Sequence, residues 1–207
     1  KKNQKLIPFG LDTAYYNPQL FTKSTAETKF KIITVANLVP VKGIEVLIKA
    51  LKQVNSAIIL DVVGDPRDPY AATLKKITTD LNLQDRVSFL GKFPDVRSLL
   101  NNADLYVICS KKEGMPMALV EAMSMGIPVL GADVPGIRYV LKEYKNLLFT
   151  PSNSEALASK IETMYALAPN ERIQLGASLR TYCVSNFNIN TFIANHEKLY
   201  QDISTTV

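Results

Sequence analysis

Short apolar runs rich in β-branched residues alternate with longer stretches of helical period over the first 150 positions of the chain. KIITVA (31–36) is brief, is built largely from Ile, Thr and Val, and is closed by Asn and Pro, so it predicts a buried strand. Ile44, Leu47, Ile48 and Leu51 follow at i, i+3, i+4, i+7 and lay one apolar stripe along a helix. The alternation then repeats. AIILDVVG (57–64), RVSFLG (86–91), LYVICS (105–110), IPVLGA (127–132) and NLLFT (146–150) predict further strands. Between them, Leu74, Ile77 and Leu81 mark one helix and Val96, Leu99 and Leu100 a short one. Pro116 opens another, because proline at the first helical position loses no needed hydrogen bond.

About six apolar strands separated by helices describe an α/β protein with a Rossmann-like, doubly wound parallel sheet, since parallel neighbours need crossover helices and are covered on both faces. Past Pro151 the strands stop. Leu157, Ile161 and Met164 predict a helix, the segment from about 170 to 185 a second, and Ile189, Phe192, Ile193, Leu199, Tyr200 and Ile203 an apolar stripe on a third. These are extra C-terminal helices, and the last stripe is expected to pack along another surface. The organisation expected is an extended connection over 1–29, ending in the polar run TKSTAETK (22–29), then a ligand-binding Rossmann-like domain over 30–168, then C-terminal helices over 169–207.

Composition narrows the function classes. With 47% hydrophobic and 21% charged residues in a chain of 207, a disordered tail and a fibrous repeat are excluded. The formal charge of +5 comes from 24 Lys and Arg against 19 Asp and Glu, scattered in ones and twos and not gathered into a nucleic-acid stripe. No nucleic-acid partner is expected, while an acidic ligand stays compatible with the charge. Cys109 and Cys183 stand 74 positions apart, with no CxxC motif and no histidine cluster, which removes a structural zinc site and a disulfide framework. A cytoplasmic location is expected. No apolar run approaches the roughly 18 residues that span a bilayer, so any membrane contact is expected to be peripheral, at the cytoplasmic face.

In an open parallel sheet the ligand lies beyond the carboxyl ends of the strands, where the winding order reverses. With the common strand order 3-2-1-4-5-6, that point falls between the first and fourth strands. The loops to inspect are therefore NLVPVKG (37–43) and SKKEGMPMALVEAM (110–123). Lys42, followed by Gly43, stands at a strand-to-helix turn, where free amides and the positive end of a helix dipole suit an anion. The helix start near Pro116 offers a second such end. Two helix starts and a lysine facing one crevice suggest a diphosphate, although a solvated surface lysine is the alternative for Lys42. Glu113 precedes the helix and Glu121 falls in its second turn, about 8 Å beyond the helix start at about 1.5 Å per residue. That separation excludes a close carboxylate pair. It suits a ligand lying across the helix start with a hydroxyl-rich group at each end, because a carboxylate accepts hydrogen bonds from two adjacent hydroxyls.

These residues carry a resemblance. EGMPMALVEAMSMGIPVLGADVPG (113–136) resembles the donor-site signature of the family 4 glycosyltransferases, in which Glu-x7-Glu is followed by EAM, GxPV and a small-residue turn before a final Gly. IPFGLD, VANLVPVKG, VVGDP, RVSFLG and NLLFTP extend the likeness, in order, over most of residues 7–165. The resemblance implies the C-terminal, donor-binding half of an enzyme with two Rossmann-like domains, the preceding half carrying the acceptor. It implies that Glu113 holds the donor hexose beside the backbone of Gly114, Met115, Pro116 and Met117, with Ala118 and Leu119 continuing the helix start. Glu121 would bind the ribose hydroxyls, while Lys42 and Gly43 would meet the departing diphosphate together with Asn37. Gly91 and Lys92, after Leu90, would lie against the base. The implied chemistry is metal-independent, retaining transfer of a hexose from a UDP- or GDP-linked donor to a glycan or lipid-linked glycan, with no cofactor and no metal. The chain has no Asp-x-Asp triplet, in agreement with that. Little transfer is expected from these 207 residues alone.

Two positions depart from the family pattern. Asn37 follows Ala36 where relatives usually carry Gly-Arg, so one positive charge is absent, and either another cation, Lys111 or Lys112, substitutes for it or turnover is slow. Phe9 replaces an Asn before Gly10, and no ligand contact is assigned to it. Other residues are expected to be structural: His196 packed and hydrogen-bonded on the last helix, Cys109 a small hydrophobe, the methionines at 115, 117, 123 and 125 packing groups, and Asp65 a turn residue in GDPRDP. Gly131 and Gly136 have P-loop spacing, but Ile137 and Arg138 follow where Lys and Ser or Thr are needed. A dinucleotide-dependent oxidoreductase is set aside because no G-x-G follows the first strand. A sugar-nucleotide epimerase or phosphorylase of the same fold, and a non-catalytic nucleotide-sugar-binding module, stand as alternatives.

Overall fold

The computed structural model describes residues 6–23, 29–67 and 69–204. Six parallel strands form one sheet in the order β3-β2-β1-β4-β5-β6: β1 (Phe30–Val35), β2 (Ile58–Val63), β3 (Val87–Gly91), β4 (Leu105–Ile108), β5 (Val129–Ala132) and β6 (Leu148–Phe149). This is the expected α/β, Rossmann-like, doubly wound arrangement. The strands form at the β-branched runs because such side chains fit a pleated surface covered on both faces, and every residue of β4 and β5 is buried. β1 lies at the centre, with Phe30 opposite Ile58 on one side and Ile32 opposite Leu105 on the other.

Helices α1 (Ile44–Leu51), α2 (Pro69–Asp80), α3 (Arg97–Asn101), α4 (Met117–Ser124) and α5 (Pro135–Val140) connect the strands; α6 (Ser154–Ala166), α7 (Pro169–Phe187) and α8 (Ile189–Ser204) follow the last. Right-handed crossovers leading in opposite directions put α1 and α2 on one face of the sheet and α3, α4 and α5 on the other. α6 returns to pack on α1, and α7 packs on α4. Ile44, Leu47, Ile48 and Leu51, the stripe read for α1, are all buried. Each such side chain contributes about 1.5–3 kcal/mol relative to exposure, which fixes α1, and with it the loop that precedes it, against the sheet.

α5 has no counterpart in the sequence reading. It buries only Gly136, Ile137 and Val140, too short a pattern for helical periodicity to register. The glycines with P-loop spacing serve this helix instead. A Cβ on Gly131 would lie 2.4 Å from Ile137, and one on Gly136 would lie 2.3 Å from the carbonyl oxygen of Gly114. β4 stops at Ile108, which releases Cys109 and Ser110 into the loop beyond, and a 3-10 turn over Lys145–Leu147 shortens β6 to two residues.

The described residues of the connection before β1 form no strand, yet the segment is docked. Leu11 N–H donates to Phe187 O at 2.7 Å and Leu11 O accepts from Ile189 N–H at 2.9 Å, so the segment satisfies backbone groups exposed where α7 gives way to α8. Leu11 therefore joins the core, which the sequence reading did not expect. Arg180 of α7 holds the same segment through the carbonyl oxygen of Tyr16. Residues 24–28 of the polar run TKSTAETK lie outside the described residues. No residue of α8 is buried within this chain, and Ile193, Tyr200 and Ile203 of its stripe are exposed. Phe9 stacks on Phe192 with 5.8 Å between ring centres, and His196 Nδ1 lies 2.9 Å from Phe192 O, hydrogen-bonded as expected.

Candidate functional site

β1 and β4 are neighbours, so the loops leaving their carboxyl ends meet where the winding reverses. The loop after β1 passes through a 3-10 turn, Pro40–Lys42, into Gly43, whose φ of 63° is left-handed. A Cβ there would sit 2.3 Å from the carbonyl oxygen of Cys109, so glycine is required both by its backbone angle and by its contact with the end of β4. The two loops are then tied together. Lys111 N–H donates to Val41 O at 2.8 Å, Lys111 Nζ pairs with Glu45 at 2.7 Å, and the Tyr70 hydroxyl donates to the same carboxylate at 2.6 Å. Burial opposes ionisation of Glu45, but the hydrogen bonds from Lys111 and Tyr70 bring its carboxyl below its ordinary value. Lys111, one of the two substitutes expected for the charge absent at Asn37, is thus committed to the first turn of α1. Lys112 is exposed.

Lys42 Nζ lies 2.6 Å from Glu113 Oε1, and Ser110 Oγ donates to the same oxygen at 2.7 Å. These three side chains line a pocket of about 120 Å³, with Val35, Ala36 and Ile108 on the strand side and Met115, Pro116, Met117 and Ala118 on the helix side. α4 begins here. No side chain caps it; the Met117 and Leu119 amides donate to Met115 O and Pro116 O, and the positive end of its dipole lies beside the pocket with no side-chain acceptor on it. Glu113 is backed by α5, since a Cβ on Gly136 would lie 2.5 Å from the Glu113 carbonyl oxygen.

An adjoining cleft of about 210 Å³ shares Val35 and Ala36 with the first and is further lined by Asn37, Asp65, Lys92 and Phe93. Asp65 does perform turn chemistry, accepting the Arg67 N–H at 3.0 Å. Hydrogen bonds from the Arg67 side chain and backbone hold its carboxyl well below the usual carboxylate range. Gly91, with φ 82°, ends β3 just before Lys92.

The structure thus gathers Lys42, Glu113, Met115, Pro116, Met117 and Ala118 in one pocket and puts Asn37 and Lys92 in the next. The other residues read from sequence line neither. Gly43 lies against the end of β4, Gly114 is exposed beside Glu113, and Leu119 is fully buried with its N–H donated to Pro116 O. Glu121 is half-buried in the second turn of α4. Burial raises its carboxyl above the ordinary value, while a hydrogen bond from the Tyr16 hydroxyl acts the other way. The sequence reading missed Ser110, although a serine closing a fully apolar strand three residues before Glu113 was a usable signal. It also missed Phe93, for which the pattern gave none.

A larger apolar pocket of about 370 Å³ opens at the amino ends of β4 and β5, lined in part by Ala103, Asp104 and Pro128. It lies at the end of the sheet opposite the one where ligands of open parallel sheets bind, and its lining includes the Lys23–Asp104 ion pair and Pro169 at the start of α7. Among the described residues no group of three or more His, Cys, Asp and Glu could hold a metal ion, and no helix is long and apolar enough to cross a membrane.

The family model "Glycosyl transferases group 1" matches residues 17–179. The N-acetyl-alpha-D-glucosaminyl L-malate synthase of Bacillus anthracis is 27% identical over 183 residues, which cover 86% of this chain and 47% of that protein. A glycosyltransferase structure from Rickettsia africae shares the fold at a TM-score of 0.90 and 20% identity, over 97% of this chain and 57% of that one. Anabaena Alr3699/HepE, solved in complex with UDP and glucose, gives a TM-score of 0.83 at 26% identity, over 97% of this chain and 56% of that one. The chain therefore spans about half the length of the relatives it matches. Because the family match takes in the whole sheet, both loops at the switch point and most of α7, the chain belongs to the group 1 glycosyltransferases.

Proposed function

We propose that this chain binds a nucleoside-diphospho-hexose and forms the donor half of a metal-independent, retaining glycosyltransferase that needs no cofactor. Its acceptor is a glycan or lipid-linked glycan met through a further domain, in the cytoplasm or at the cytoplasmic membrane face. The observation that carries this reading is the Lys42–Glu113 pair beside the uncapped start of α4. Lys42 and the α4 dipole offer positive potential to a diphosphate. Glu113 offers an acceptor to hexose hydroxyls in the same pocket. The adjoining cleft, with Asn37, Lys92 and Phe93, has room for a nucleoside, and Phe93 presents a ring to its base. The UDP and UDP-glucose complexes of Alr3699/HepE support a UDP-linked donor. The epimerase alternative is not favoured, since the matched family is one of transferases.

During transfer the bond from hexose C1 to the diphosphate oxygen breaks, C1 gains oxocarbenium character, and negative charge grows on the leaving oxygen. Lys42 and the positive end of the α4 dipole meet that charge, and one preorganised donor such as Lys42 lowers the barrier by roughly 3 kcal/mol. Lys42 is the one cation among the residues lining that pocket. This chain alone transfers little, because the acceptor is held elsewhere.

The test is a thermal-shift panel of UDP-, GDP- and ADP-glucose in EDTA. One nucleotide class is expected to stabilise the chain by about 2.7 kcal/mol at 100 times its dissociation constant, and Lys42→Met to remove the effect. No stabilisation by any of the three, or equal stabilisation of Lys42→Met, defeats the reading.

A further inference from the structure

We infer that Glu113 competes with the leaving diphosphate for Lys42, so that the site favours the intact donor and disfavours the spent nucleoside diphosphate, resting on the donor-binding reading given above. Both hydrogen bonds to the Glu113 carboxylate, from Lys42 and from Ser110, fall on Oε1. Oε2 accepts none among the described residues. The carboxylate is therefore turned so that one oxygen neutralises the lysine while the other is left for a further donor. Ser110 is 1% exposed, which makes it a fixed positioning residue for that orientation. The Lys42 and Glu113 side chains are themselves only 26% and 12% exposed, so water screens the pair poorly.

The pocket then holds two claims on one cation. At about 120 Å³ it is too small for a phosphate to reach Lys42 without approaching Glu113, and the nearby ammonium of Lys111 is already paired with Glu45. An intact donor resolves the conflict because it brings hydroxyl donors for Glu113 together with phosphates for Lys42. Once the hexose has left, the diphosphate brings only negative charge. Glu113 loses its hydroxyl partners, faces a like charge and turns back to Lys42, and the diphosphate loses its counter-ion. The ion pair seen here is the state to which the site returns after each transfer.

Isothermal titration of the chain with pyrophosphate, UDP and UDP-glucose tests this. Glu113→Gln keeps the side-chain shape and removes its charge. Pyrophosphate and UDP are expected to bind it about tenfold more tightly than wild type, equal to about 1.4 kcal/mol, with no such gain for UDP-glucose. Glu113→Ala gives the same sign and serves if the glutamine variant does not fold. In a Lys42→Met background the gain on replacing Glu113 is expected to shrink to a few-fold, the non-additivity of two groups acting on each other. If wild type binds UDP-glucose but replacing Glu113 leaves pyrophosphate affinity unchanged or weaker, the competition is wrong and the donor reading survives. If wild type binds none of UDP-, GDP- and ADP-glucose, the donor reading falls and the competition falls with it.

Discussion

Gly136 controls where Glu113 stands, and Gly136→Ala measures by how much. The residue is buried in the first turn of α5. The added Cβ would lie 2.3 Å from Gly114 O, 2.5 Å from Glu113 O and 2.8 Å from the Glu113 carbonyl carbon, where ordinary contact begins at 3.4 Å. All three atoms are backbone and cannot rotate away, so either helix or loop must move by about 1 Å. α5 is anchored in the core by Ile137 and Val140, whereas Gly114 is exposed, so the loop gives way and draws Glu113 off Lys42. Overpacking of this kind costs about 1–3 kcal/mol, and a misplacement of about 1 Å in a positioned group can cost about 100-fold. Urea denaturation should show a stability loss in that range, and titration with UDP-glucose an affinity at least about tenfold weaker, or about 1.4 kcal/mol. Gly114→Ala, whose added Cβ has nothing within 4 Å, is the stability control, with a change within about 0.5 kcal/mol. A Gly136→Ala protein that is as stable as wild type and binds the donor equally well would refute the proposed coupling of α5 to Glu113.

Gly43→Ala places a Cβ 2.3 Å from Cys109 O on a left-handed backbone, and thermal denaturation should show a loss of at least about 2 kcal/mol; a loss under about 0.5 kcal/mol would show that the turn is not under that constraint. Glu121 has its carboxyl raised by burial against a smaller opposing hydrogen bond from Tyr16. The folded state thus binds this proton more tightly than the unfolded chain. The resulting penalty is absent below the unfolded carboxylate range and grows as pH rises through the folded value. Glu121→Gln should therefore be more stable than wild type at pH 7 by urea denaturation, with an advantage that shrinks as pH falls toward about 4; an advantage independent of pH would contradict the assignment.

Much of the architecture was legible because burial leaves a local record. A central strand covered on both faces must be apolar throughout, as β4 is, and a helix with one covered face must carry the stripe seen in α1. With the common winding order applied to those elements, the switch-point rule led to the two loops that carry Lys42 and Glu113. α5 escaped because six residues are too few to show a period. The docking of Leu11 escaped because its partners, Phe187 and Ile189, are far away in sequence and act through backbone groups that no side-chain pattern reports.

The chain's own pattern determined which segments are strands and helices, since alternation with period 2 or 3.6 is a property of neighbouring residues, and with the common winding order it pointed to the loops that hold the chemistry. Partner choice was decided only in three dimensions. Lys42 and Lys111 are both lysines in the loops at the switch point, yet one faces Glu113, 71 positions away, while the other is taken by Glu45. Which carboxylate a lysine meets depends on how two loops cross at the carboxyl ends of the central strands β1 and β4. That crossing is set by the contact of Gly43 with Cys109 and of Gly136 with Gly114, close approaches of backbone to backbone that nothing in the spacing of charges records.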